Sequence, residues 1–93
     1  MMKLEYQYDE QFLDLKETAN DDDFEFTLTF VDNNWKNKIE KIREYFDENN
    51  ILTDILIYIH PNNKFQIIVR KDFYNEFIIQ LFRQQIVEEV KWV

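Results

Sequence analysis

Phe24-Glu25-Phe26-Thr27-Leu28-Thr29-Phe30-Val31 alternates large apolar with polar side chains over its first seven positions. In an extended chain, a period of two sets Phe24, Phe26, Leu28 and Phe30 on one face and Glu25, Thr27 and Thr29 on the other. Aromatic and β-branched residues suit a pleated, half-buried surface. The stretch predicts a strand with one face in a core and one face towards water.

The pattern changes downstream. Asp32-Asn33-Asn34 offers side chains that cap a helix N-terminus. Trp35, Ile39, Ile42 and Phe46 then recur at spacings of four, three and four, one apolar stripe of an amphipathic helix. Asn49-Asn50 is suited to closing that helix with a left-handed residue. Residues 51–60 are rich in β-branched side chains and read as a strand. Pro61-Asn62-Asn63 is turn chemistry. Lys64 to Arg70 alternates again, with Phe65, Ile67 and Val69 on one side, so the two stretches predict a hairpin. Asp72 is a candidate cap for a second helix carrying Phe73, Phe77 and Leu81. Residues 86–93 close the chain as a strand, with Ile86, Val90 and Trp92 roughly in phase.

The resulting order over residues 24–93 is β-α-β-β-α-β. It predicts a ferredoxin-like α+β sandwich, with two helices on one face of a four-stranded antiparallel sheet. Residues 1–23 fall outside that plan and read as an acidic N-terminal arm. There, Met2, Leu4, Tyr6 and Tyr8 alternate as in a short strand. Leu4, Tyr8, Phe12, Leu15 and Ala19 have helical spacing. The longer pattern favours a helix over 9–18 after an extended start.

Charge is distributed unevenly. The chain of 93 residues carries a net charge of −8. Residues 1–23 hold two basic and eight acidic residues, a net of −6, which leaves −2 for the rest. An acidic arm is either a solvated, solubilising segment or an element aimed at a basic partner surface. The basic face of the first helix offers a further, intramolecular docking site for it.

Composition bounds the chemistry. With 45% hydrophobic and 17% aromatic residues, the chain is too apolar for a disordered one. Glycine and cysteine are both absent, which removes disulfides, thiolate chemistry and glycine-rich phosphate loops. Without glycine, positive φ falls to asparagine, and the pairs 33–34, 49–50 and 62–63 all sit at element junctions. No apolar run approaches the ~20 residues of a membrane helix, and no signal-peptide core is present. The expectation is a cytoplasmic protein that does not enter a membrane, and the Asn, Ile, Lys, Phe and Tyr usage suits an AT-rich bacterial, phage or archaeal-viral genome.

No constellation points to catalysis. His60 is the sole histidine and lies beside a turn. Asp21-Asp22-Asp23 lacks the ligand spacing of a calcium loop, and no cofactor is implied. RNA-recognition sheets display stacking aromatics on their central strands. Here the outer face of the central strands offers Glu25, Thr27, Thr29, Gln66, Ile68 and Arg70 instead.

The leading expectation is a non-enzymatic protein-interaction module, a homodimer that binds a protein with a basic surface. By analogy of size and charge, small acidic inhibitors of nucleases and other nucleic-acid-binding proteins, including phage anti-defence and immunity proteins, have this character. The expected contacts are Asp14, Glu17, Asp21, Asp22 and Asp23 in the arm, with Leu56, Tyr58 and Ile68 on an outer sheet face that Val31, Val87 and Val93 extend. One alternative places nucleic-acid phosphates on Lys36, Lys38, Lys41 and Arg43. Another is a small metal-dependent enzyme using clustered carboxylates.

Overall fold

The computed structural model describes residues 4–48 and 55–93. Asn49-Asn50 and the first part of the 51–60 stretch lie outside the described residues. The chain is a mixed α+β fold, with strands β1 (Leu4–Gln7), β2 (Leu13–Ala19), β3 (Asp23–Phe30), β4 (Ile55–His60), β5 (Lys64–Arg70) and β6 (Glu89–Trp92). Helix α1 spans Lys36–Glu48 and α2 spans Tyr74–Arg83. Two antiparallel sheets result, a four-stranded sheet in the order β2-β3-β5-β4 and a two-stranded ribbon of β1 and β6.

β3 forms where its alternation predicted. Phe26, Leu28 and Phe30 are buried, while Glu25, Thr27 and Thr29 stay partly open. β5 aligns Val69, Ile67 and Phe65 with Phe24, Phe26 and Leu28 on the same face. β4 joins β5 in the expected hairpin, with Leu56 opposite Ile68 and Tyr58 opposite Gln66. The turn runs through Asn62 and Asn63, both at positive φ (63° and 60°).

Both helices cover this inner face. α1 buries Ile39, Ile42 and Phe46, and α2 buries Phe77, Ile78 and Leu81. Phe77 meets Phe26 with ring centroids 4.7 Å apart, and Trp35 stacks on Phe30 at 5.0 Å. Aromatic pairs of this geometry add about 0.5–1.5 kcal/mol beyond the area they bury. Tyr45 of α1 donates to Glu76 Oε2 of α2 at 2.8 Å, tying the helices together.

The strand order departs from the ferredoxin-like expectation. That plan puts the last strand beside β3, but β2 occupies the position and β6 pairs with β1. Chain proximity explains the choice. A tight turn at Asp21-Asp22, closed by Asn20 N–H donating to Asp23 O at 2.8 Å, joins β2 to β3. Closing so short a loop is entropically cheap. β2 also brings two inward leucines, Leu13 and Leu15, both buried. β6 is four residues long and has no fully buried side chain.

The helix expected over 9–18 is therefore not formed, and strand β2 takes its place. Leu13-Asp14-Leu15-Lys16 follows a period of two, and pairing with β3 satisfies the backbone groups that a helix would have satisfied internally. Phe12, part of the helical stripe, is left exposed. Leu4, Leu13 and Leu15 join the same core cluster as the strands and helices that follow.

Three local details differ as well. Asp32 does not cap α1; its Oδ1 accepts from the Asn34 N–H at 3.0 Å in a turn before the helix. Asp72 lies in a 3-10 turn, Lys71–Phe73, and α2 begins after it without a side-chain cap. α2 ends in a Schellman motif, with Ile86 N–H donating to Leu81 O and Gln85 N–H to Phe82 O, both at 2.9 Å. The left-handed position is Gln85, at φ 61°, where glycine is usual. Asn33 and Asn34 have no positive φ.

Candidate interaction surface

The strand registers lay out the outer face of the four-stranded sheet as a grid. One row runs Thr18, Glu25, Ile68, Leu56; the next Lys16, Thr27, Gln66, Tyr58; the third Asp14, Thr29, Lys64, His60. Asp23 and Arg70 face each other beyond the first row. The buried residues of both helices belong to the core on the opposite face. Leu56 and Tyr58 are half exposed, at 50% and 48%, and Ile68 lies directly across from Leu56. The three make a contiguous apolar patch at the β4 side of the sheet.

A polar relay borders the patch. His60 Nε2 donates to Gln66 Oε1 at 3.2 Å, and Gln66 Nε2 donates to Glu25 Oε1 at 3.0 Å. The relay joins β4, β5 and β3, three neighbouring strands of the sheet. It links polar side chains of three strands next to the apolar patch.

Leu56, Tyr58 and Ile68 thus share a surface as expected. Val31 is exposed just past β3, whereas Val87 is buried in the core and Val93 follows the separate ribbon. These two do not extend the patch. Ile86 and Val87 follow α2, and their burial under the Schellman turn takes them out of strand phase.

The acidic residues separate. Asp14 and Asp23 lie on the outer face. Asp21 and Asp22 form the exposed turn between β2 and β3. The Lys71 N–H donates to Asp22 O at 2.9 Å, which brings that turn to the start of the 3-10 segment. Asp72, exposed in that segment, therefore joins the same corner. Its distance in sequence hid this.

Glu17 goes to the other side. Opposite Phe26, it stands on the inner face, where its Oε1 accepts from Tyr6 OH at 2.8 Å and from Tyr74 OH at 2.9 Å. One carboxylate thus joins β1, β2 and α2. Burial, followed by the hydrogen bond to Glu17, pushes both phenols well above the usual tyrosine range. Glu17 is an internal strut, not an outward acid.

The sheet edges are partly closed. An antiparallel edge strand leaves alternate carbonyls unpaired. On β2, Leu15 O accepts from Tyr8 OH at 3.1 Å. On β4, Ile57 O accepts from Arg43 Nη2 at 3.4 Å.

That contact also bears on the basic helix face. Arg43 reaches Glu40 at 3.7 Å as well as Ile57 O. Lys38 lies over the Trp35 ring, 4.5 Å from its centroid. Lys36 and Lys41 are exposed. Two of the four cations expected for phosphate contacts thus have partners within the fold.

One further feature completes the surface. A shallow pocket of about 210 Å³ lies between the α1 entry and the β4–β5 turn, lined by Trp35, Lys36, His60 and Asn62 among others. Among the described residues, no group of three or more His, Asp or Glu side chains is placed to hold a metal ion. No helix among them is long and apolar enough to cross a membrane.

Set beside known proteins, the chain matches no family model, no curated protein and no solved structure. What the fold defines is a small mixed α+β protein whose four-stranded sheet has one face covered by both helices.

Proposed function

We propose that this chain is a non-enzymatic protein-interaction module that docks through the outer face of its four-stranded sheet. One observation carries the reading. Leu56, Tyr58 and Ile68 form a continuous apolar patch on a face that no described element covers. Contiguous exposed apolar surface rimmed by polar groups marks an interaction site more often than an accident of folding.

The acidic corner at Asp21, Asp22 and Asp72 gives the module a second character. Its exposed carboxylates, on a chain of net charge −8, steer a basic protein surface towards it. The finer reading is an inhibitor or regulator of a nucleic-acid-handling protein, acting in the cytoplasm.

Quantitative affinity capture with the tagged full chain in its host tests both parts. A partner retained by the native chain, lost with Asp21→Lys/Asp22→Lys and rich in basic surface, supports the regulator. A partner lost with Leu56→Glu supports the sheet face as the dock. If no captured protein depends on either surface, the reading is retired.

A further inference from the structure

From the charges on the outer sheet face, we infer that its occupant is a second copy of this chain. The inference rests on the reading of that face as a docking surface and adds the identity of what docks there.

The chain as a whole is strongly acidic, at −8. Two such molecules repel unless they meet where the charge is balanced. Among the described residues, the outer face is such a place. It carries three acidic side chains, Asp14, Asp23 and Glu25, and three basic ones, Lys16, Lys64 and Arg70. The signs interleave across the strands. Asp23 faces Arg70, and Asp14 lies two strands from Lys64 in the same row. A basic partner gains nothing from a neutral face and is drawn to the acidic corner instead. A copy of the chain brings the same mixed pattern and the same Leu56, Tyr58 and Ile68 patch, as a two-fold interface between identical surfaces requires.

The footprint sets the strength. Four strands about 4.8 Å apart and about six residues long at ~3.3 Å each cover roughly 400 Å² in projection. Standard interfaces bury about 800 Å² per partner. Accessible area exceeds projected area, so a dock confined to this one face falls at or below the standard size, and the dimer is a reversible one that appears with rising concentration. The acidic corner, set at the end of β2 and β3, stays free for another partner.

Sedimentation equilibrium of the full chain across its soluble concentration range tests this. The native chain shifts from monomer to dimer mass. Leu56→Glu weakens dimerisation about tenfold or more, the loss expected when an unpaired charge costs at least ~1.4 kcal/mol. Lys64→Glu unbalances the face and weakens the dimer at low salt, and added salt restores part of it by screening. Asp47→Lys, on the exposed side of α1, leaves it unchanged. Circular dichroism reports whether each variant folds, and Lys64→Glu decides if Leu56→Glu does not. A dimer indifferent to Lys64→Glu overturns the inference. So does a native chain that is monomeric throughout; the interaction reading then stands or falls on the Leu56-dependent capture alone.

Discussion

The two faces of the four-stranded sheet come from the same strands, yet they belong to different environments. On the inner face Phe26, Leu28, Ile67 and Val69 are fully enclosed by α1 and α2. One residue along each strand, Thr27, Thr29, Gln66 and Ile68 stand on the opposite face and stay partly open. Strand alternation creates the two sets, and the placement of the helices decides which becomes core. The inner face carries stability, and the outer face, among the described residues, contributes little to the core.

The largest expected effect tests that division directly. Phe26→Ala costs about 3–5 kcal/mol in chemical denaturation, the range for emptying a buried aromatic site. Thr27→Ala, its neighbour on the other face, stays within about 0.5 kcal/mol. Similar costs for both would break the contrast.

The Glu17 strut is the next test, because it puts a charge on the inner side. Tyr74→Phe removes a hydrogen bond to a carboxylate, worth about 1.5–3 kcal/mol when buried. Partial exposure reduces the expected loss to about 1 kcal/mol. The pH dependence follows from the same contacts. Tyr6 and Tyr74 keep their protons in the folded state to higher pH than in the unfolded chain. Their contribution is complete below the unfolded tyrosine value of about 10 and is lost as pH rises above it. Thermal melts should fall faster above pH 10 in the native chain than in the Tyr6→Phe/Tyr74→Phe variant.

A smaller gain is expected at the end of α2. Gln85 holds a left-handed conformation that costs a side-chain-bearing residue about 1–2 kcal/mol, and glycine returns part of that gain as unfolded-state entropy. Gln85→Gly should raise stability by about 0.5–1 kcal/mol, read from the denaturation midpoint. The smallest effect belongs to the outer relay. Gln66→Ala changes stability by less than about 0.5 kcal/mol, while loosening His60 and Glu25 beside the apolar patch.

The legible parts of the fold were those with long, unbroken periodicity. Phe24–Phe30, the Trp35–Phe46 stripe and Lys64–Arg70 each repeat one spacing long enough to decide between strand and helix. The segment before Phe24 carries two competing patterns, and local spacing favoured the wrong one. Pairing with β3 is a long-range term that no window of sequence contains. Leu56, Tyr58 and Ile68 could be put on one sheet face because strand geometry sends every second side chain to the same side, whereas Asp72 and the Glu17–Tyr6–Tyr74 strut join elements up to 57 residues apart.

The sequence by itself determined which residues are apolar on which side of β3, β5 and α1, because side-chain direction follows from backbone period. It also determined that the chain is acidic, with its surplus near the N-terminus. Only the tertiary structure decided that β2, not β6, lies against β3, that Glu17 turns inward, and that the outer face is electrically balanced. Those outcomes depend on which distant segments meet, and the competition between them is settled by loop closure and shared burial.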